Sequence, residues 1–379
     1  MIVHLFLILS LLLHHSEAYW FLANRKSSLK THRPVREGWA PAMVLNLGLE
    51  DASSNLRSSD EGVGLGAGAN VDTEDSRSDT ARSAGLGASI VSRVMSSPLY
   101  YPIVAQARRT MVKTAEASGV DWEAKYEYMK GKLGDEHAFE AIVDSVRKEN
   151  PSLEYPSYYL QKFHGYKLGN LNRQSAIEQE IAGKAVGARN FPAAGKEGEE
   201  VLRGSYDREI ISLCGESVLK GVDSLNSKEF VIADMGSGTG TSTRRMANFF
   251  QNSDRVIGID MSPHMIAVAR YLNKGTERGG WVEDITADKR VEFKYADIGA
   301  TGLPNNSVDI CSISLVLHEL PESASLSVLQ EAERILKPGG TLLIMEMDPS
   351  APGYIKLREN SMLFAVLRST EPWYVVRIC

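Results

Sequence analysis

The stretch VIADMGSGTGTSTRRMANFF, residues 231–250, limits the possible folds more than any other part of the chain. An apolar run ends on an acid, glycines follow at every second place, and a helical pattern begins. A strand that turns through glycines into a helix is how α/β sheets hold a nucleotide-like ligand. The residues downstream repeat this pattern. β-like runs at 230–234, 256–260, 291–295, 308–314 and 341–347 alternate with helical runs such as 265–272. That alternation predicts an α/β fold, a mostly parallel sheet with helices on both faces. Ligands on such sheets sit at the carboxyl ends of the strands, where the acids of this sequence cluster.

The glycines narrow the ligand. A dinucleotide loop reads G-x-G-x-x-G, with the pyrophosphate on the helix N-terminus. Here Gly236, Gly238 and Gly240 read G-x-G-x-G, and Thr241 holds the third dinucleotide position. Asp234 stands two residues before the first glycine. A carboxylate there opposes a phosphate and suits a cation. S-adenosylmethionine carries a sulfonium and an ammonium and no phosphate, and glycines let backbone approach its methionine part closely. Asp260 ends the second strand, 24 residues after Gly236, where a carboxylate can accept both ribose hydroxyls. Nicotinamide sites use the same device, so Asp260 alone does not discriminate. Ser262 is placed as an N-cap with Pro263 at the first helical position. Asp297 follows the third strand, in reach of an adenine amino group.

Four motifs in this order resemble class I S-adenosylmethionine-dependent methyltransferases. ADMGSGTG is similar to the family's first motif and VIGIDMSPHMIAVAR to its second. ADIGATGLPNNSVDICSISLVLHELP resembles the end of the third strand and the fourth, and RILKPGGTLLIMEMDP the turn and fifth strand. The resemblance covers about 228–350 and is nearest to the ubiquinone/menaquinone C-methyltransferase-like group, plastid-targeted members included. YPSYYLQKFHGYKLGNL resembles the N-terminal part of those plastid members more faintly. The resemblance implies a Rossmann-like methyltransferase sheet, S-adenosyl-L-methionine as cofactor and a small-molecule methyl acceptor. By motif, Asp234, Gly236, Ser237, Gly238, Thr239 and Gly240 would cradle the methionine part. Asp260 would bind the ribose with Met261 against the adenine, and Asp297 with Ile298 would hold the adenine edge. Leu315 to Glu319 would face the methyl-donor end and the acceptor. His318 and Glu319 are then the candidate catalytic pair, since an oxygen or carbon-acid acceptor needs a base; a structural histidine capping the strand fits His318 equally. His164 and Tyr166 either close the pocket or pack in the core. The pairs Arg108–Arg109 and Arg244–Arg245 read as solvated helix faces. Family sheets have seven strands, whereas 32 residues follow Met347 here, with WYVVRIC supplying one short strand. The sheet is therefore expected to lack its last edge strands and leave an edge exposed.

Upstream, residues 97–225 read as an N-terminal helical region leading into a domain at 226–379. In it, VAQARRTMVKTAEASG is a helix stopped by Gly119, and Phe139, Ile142, Val143 and Val146 mark the apolar face of another. Residues 51–96 are Ser, Gly, Ala and Asp with almost nothing to bury, which predicts a disordered linker. The start of the chain reads as an address. LFLILSLLL at 5–13 is too short to span a bilayer and fits a signal-peptide core ending near Ala18. Residues 19–50 begin basic and poor in acids, as transit peptides are. The two together resemble the bipartite address of complex plastids; plain secretion is the alternative.

A net charge of −6 without a long basic block argues against nucleic acid. Cys214, Cys311 and Cys379 form no CxxC and the eight histidines are scattered, so no metal site is expected. Two other functions stay open: an S-adenosylmethionine-binding protein without turnover, and a nicotinamide-dependent oxidoreductase. Against the latter, its Tyr-x-x-x-Lys pair, Tyr126 and Lys130, lies upstream of the glycine loop rather than downstream.

Overall fold

The computed structural model describes residues 100–214, 229–347 and 352–360, the backbone of 18–24, 30–31 and 42–44, and single residues 97, 364, 367, 371 and 373. The signal-peptide core, most of 19–50, the linker at 51–96 and, Trp373 aside, the strand expected at 373–379 lie outside the described residues. In chain order come strands β1 (Ala18–Asn24), β2 (Lys30–Thr31) and β3 (Ala42–Val44), then helices α1 (Tyr100–Ala117), α2 (Trp122–Lys132), α3 (Glu136–Arg147), α4 (Arg173–Asn190) and α5 (Gly198–Cys214). The alternating part comes next: β4 (Val231–Met235), α6 (Thr241–Phe249), β5 (Arg255–Asp260), α7 (Pro263–Leu272), β6 (Val291–Tyr295), β7 (Val308–Ser314), α8 (Glu322–Ile335), β8 (Leu336–Met347) and α9 (Pro352–Glu359).

The five predicted strands all form. β4 lies centrally, with β5 and then β6 on one side and β7 and then β8 on the other, every neighbour parallel. The chain leaves β4 in one direction and returns on its other side. That order opens a crevice at the carboxyl ends of β4 and β7, the place where such sheets take ligands. β8 is longer than the run at 341–347 because pairing restarts across Lys337 to Gly340, with a shift between Val308 and Ile310. Its outer edge is paired as well, contrary to the bare edge expected. Ala18 to Asn24 run antiparallel along Met347 to Thr341, with β3 and β2 beyond them. YWFLA is an apolar, aromatic run of the kind that fits a pleated edge.

Successive residues of a strand point to opposite faces, and the apolar set divides accordingly. Val231, Ala233, Ile257 and Ile313 pack with Val328, Ala332 and Ile335 of α8 on one face. Ile232, Val256, Phe293 and Leu343 face α7 and the upstream helices on the other. The helical region thus shares a core with the sheet: Trp122, Met129, Phe139, Ile177 and Ile181 join Val268 and Leu272. On α3, Phe139, Val143 and Val146 are buried as their spacing predicts, but Ile142 is 43% exposed. The face turned to α7 is narrow, and position 142 falls outside it.

Candidate functional site

β4 delivers its acid to the centre of the molecule. Asp234 has no exposed surface and accepts from Ser242 Oγ (2.6 Å) and Thr243 Oγ1 (2.7 Å) in the first turn of α6. Burial pushes its carboxyl above the usual range against those hydrogen bonds. Its charge therefore lies beneath the glycine loop, bracing the start of α6, while Oδ1 stays buried without a partner. The loop itself is shaped by left-handed backbone. Gly238 has φ 52°, and a Cβ there would stand 2.1 Å from Nε2 of Gln179. Gly236 has φ 82°, and its Cβ would stand 2.5 Å from Val316. Only glycine meets both demands. Leu315, at the end of β7, is itself left-handed (φ 57°) and donates its N–H to Met345 O at 2.7 Å, a turn that sets Val316 against Gly236.

Asp260 sits half-buried at the end of β5. It accepts from the backbone N–H of Gly238 at 2.9 Å and of Ser262 at 2.8 Å. Burial raises its carboxyl to about 6, against the lowering effect of those N–H groups. The acid thus welds the glycine loop to the start of α7, where Ser262 caps Met265 N at 3.2 Å and Pro263 opens the helix, as expected. Met261 is buried beside it. Asp297, half-buried beyond β6, accepts from Gly299 N at 2.7 Å, with Ile298 buried next to it. One edge of the crevice therefore presents two carboxylates that are spaced by apolar side chains and only partly used.

The other edge carries the histidines. His318 is buried, and its Nδ1 lies 2.6 Å from Oε1 of the fully buried Glu346 on β8; Glu346 also accepts from His318 N at 3.2 Å. Burial alone would lower His318, but the charge and hydrogen bond of Glu346 raise it to about 9. The pair with Glu346 favours the protonated ring and tethers it to a strand, the geometry of a strand cap. Glu319, next along, is raised to about 8 by burial, with Glu371 and Glu346 adding to it. His164 reaches the same cluster, its Nε2 3.9 Å from Glu319 and 3.7 Å from Glu371. Its side chain is 40% exposed, and partial burial with the His318 charge lowers it from the usual imidazole range. His164 thus lies beside Glu319 and Glu371, whereas Tyr166 turns away and donates to Glu178, which also pairs with Arg108.

Residues 155–170 lie across the strand ends as a cover. The Tyr155 and Tyr295 hydroxyls meet at 2.7 Å, and Asn170 O accepts from Ser262 Oγ at 2.6 Å. Burial raises Tyr158 to about 12 with help from the charge of Asp297; Tyr159 rises through burial, then Asp260 and Glu319. These tyrosines thus sit between the two carboxylates and the histidine cluster.

The sequence reading missed the partners that the helical region sends into the loop. Gln179 Oε1 accepts from Thr239 N at 2.6 Å. Glu180, buried, accepts from Thr239 Oγ1 (2.9 Å), Arg244 Nη2 (2.7 Å) and Trp281 Nε1 (2.7 Å). Arg244 is therefore no solvated face: it is 7% exposed and also donates to Thr239 O at 2.9 Å. Arg245 pairs with Asp207 and Glu200 on α5, and Arg108 is only half-exposed; Arg109 alone of the four is exposed as read. The acids of EQE at 178–180 and the arginines after the loop were the available signal.

The residues fit S-adenosylmethionine on the structure's own terms. Ser237 Oγ is buried in the loop without a partner, and Asp260 and Asp297 keep acceptor capacity.

Residues 233–344 match a family model described as a methyltransferase domain. The chain is 30% identical over 122 residues to the ubiquinone/menaquinone biosynthesis C-methyltransferase of Hahella chejuensis, covering 32% of this chain and 45% of that protein. It is 30% identical over 149 residues to acetylserotonin O-methyltransferase of Mus musculus, covering 38% and 35%. A solved structure described as a SAM-dependent methyltransferase from Aquifex aeolicus is 27% identical, covering 36% of this chain and 71% of that one, with a TM-score of 0.25. The match spans less than half the length of these curated relatives.

Proposed function

We infer that this protein, whose residues 233–344 form a class I methyltransferase domain with S-adenosyl-L-methionine as its cofactor, methylates a small aromatic acceptor of the quinone or phenol class. The match of residues 233–344 to a methyltransferase domain supports methyl transfer, and the observation that supports a nucleoside cofactor at this loop is the Asp260 weld. One carboxylate joins the glycine loop to the next strand's helix and still offers lone pairs to a ribose diol. The tyrosines and His164 that cover the strand ends favour a flat, aromatic acceptor, as does the similarity to a C-methyltransferase of quinones.

When bound, the cofactor supplies an electrophilic methyl group on a sulfonium. The chain's own part is alignment, which accounts for much of the rate of an in-line displacement. Gly236, Ser237, Gly238, Thr239 and Gly240 let backbone approach, Asp260 and Met261 hold the nucleoside, and Asp297 with Ile298 bounds the adenine edge. Leu315 lies at the turn between the two ends of the crevice. Residues 155–170 lie over the acceptor end of the strands. There Glu346 favours the protonated His318 ring, whose contribution is a positive charge beside a developing acceptor anion. Glu319, raised to about 8 chiefly by burial, is a group there that can exchange a proton.

The test is a thermal shift with S-adenosylmethionine, S-adenosylhomocysteine and NAD, followed by a labelled-methyl screen over quinones, phenols, thiols and carboxylic acids. A ligand at a hundredfold excess over Kd stabilises by about 2.7 kcal/mol, and the adenosyl ligands alone should do so. A shift with NAD alone would move the chain to the oxidoreductases. Cofactor binding with no methylated product would leave a binding protein without turnover.

We also propose that residues 1–50 direct the protein to a complex plastid, on their apolar core followed by a basic, acid-poor segment. A fluorescent protein carrying residues 1–50 should enter the plastid of an alga with secondary plastids. Secretion into the medium would overturn this.

A further inference from the structure

The backbone donors of the glycine loop are all committed. Gly236 N and Ser237 N donate to Ile259 O at 2.8 and 3.0 Å, and Gly240 N donates to Ser237 O at 2.8 Å. Gly238 N is taken by Asp260 at 2.9 Å and Thr239 N by Gln179 at 2.6 Å. A methionine-type ligand nevertheless brings a carboxylate to this loop, among the negative charges of Asp234, Asp260 and Glu180. That carboxylate needs donors, and the nearby cations are engaged. Arg244 serves Glu180, Arg203 serves Glu199, and Lys184 serves Glu199 and Glu283.

We propose that Gln179 is a cofactor-binding residue lent by the helical region, its side-chain amide donating to the carboxylate of the cofactor's methionine part. The inference rests on the reading of the site as an S-adenosylmethionine site. Because Oε1 accepts from Thr239 N, the amide is fixed with its two N–H donors at the other end. That end lies over the middle of the loop, since Nε2 is the atom that a Cβ on Gly238 would strike. Gln179 is exposed, so its amide is open to a ligand. Its position is set in advance by its neighbour. Glu180 is locked to Thr239, Arg244 and Trp281, which pins α4 against the loop one residue from Gln179. Pre-positioning of this kind lowers the ordering cost of binding. A neutral donor also suits a place where a fourth full charge would have to be balanced.

The test compares S-adenosylhomocysteine with 5′-methylthioadenosine, which keeps the nucleoside and thioether but lacks the amino-acid end. Both are titrated calorimetrically into the wild-type chain and into Gln179→Ala and Gln179→Glu. A hydrogen bond to a charged group predicts that Gln179→Ala weakens S-adenosylhomocysteine about 10- to 100-fold. Gln179→Glu, which sets like charges together, should weaken it further. Methylthioadenosine should bind all three chains within about twofold of one another. Tighter binding of S-adenosylhomocysteine by Gln179→Ala would overturn the proposal and make the side chain a plug in the cradle. Equal effects on both ligands, or no effect on either, would overturn it and leave the cofactor reading standing. Failure of the wild-type chain to bind either ligand would overturn both.

Discussion

Replacing Glu180 with alanine should lower the stability of the folded chain by about 3–5 kcal/mol, the usual result of removing one partner from a buried ion pair. For a domain of this size that is a fall in melting temperature on the order of 10 °C. The carboxylate is 5% exposed and serves three donors from two parts of the chain. Without it, the Arg244 guanidinium keeps only Thr239 O, and the Trp281 indole N–H loses its acceptor in a buried setting. An orphaned buried donor costs its full desolvation, and a charged one costs more. Glu200→Ala is the matched control. That residue also pairs with an arginine at 2.7 Å, but its side chain is 55% exposed. Solvent screens such a pair, so less than about 1 kcal/mol is expected. Urea or thermal melts of the two variants decide it: equal, small losses would mean that α4 is not held to the loop by this network.

The contrast also explains what could be read from residues in order and what could not. The glycine loop, the cap at Ser262 and the acids ending β4 and β5 are local features. Their meaning depends on neighbours within a few positions, and the strand positions followed from the same alternation. The network of Glu180 is different in kind. Its partners are 59, 64 and 101 residues away, and nothing in the pattern around RQSAIEQEIAGK says which of its acids turns inward. Arg244 shows the same limit: an arginine in the first turn of an amphipathic helix reads as solvated until an acid from another element covers it. Ile142 errs in the opposite sense. Its spacing is right for an apolar face, but α7 covers only part of that face. The edge of β8 turned on pairing with residues more than 300 positions upstream, in a segment whose composition reads as an address. The residues carried over by motif lie around the glycine loop and the ends of β5, β6 and β7, with Asp234 buried beneath the loop. The covering segment was legible only as an aromatic-rich run, because its role depends on which strand ends it crosses.

Asp260→Ala should weaken S-adenosylhomocysteine and 5′-methylthioadenosine alike, by a factor of roughly 100 to 10,000. The range follows from two hydrogen bonds to a charged acceptor at about 1.5–3 kcal/mol each. Both ligands carry the ribose diol, so the loss should not depend on the amino-acid end, which separates this residue from Gln179. The wild-type chain should also show an acid limb. Burial holds the Asp260 carboxyl at about 6, so the ionised acceptor is complete above that pH and is lost as pH falls through it. Binding that requires the ionised form then weakens about tenfold per unit below the transition and is flat above it. Because the ligand stabilises the ionised form, the limb measured in the complex should lie lower than in the free protein. Methylthioadenosine is the better probe here: it lacks the end that approaches the glycine loop, so the limb reports the nucleoside side. Asp260→Asn should bind weakly and show no such limb. It keeps one acceptor oxygen, but its amide faces one of the two backbone N–H groups that the carboxylate satisfies. A wild-type affinity that stays level from pH 5 to 7.5, or an Asp260→Ala chain that binds as tightly as wild type, would remove this carboxylate from the nucleoside site.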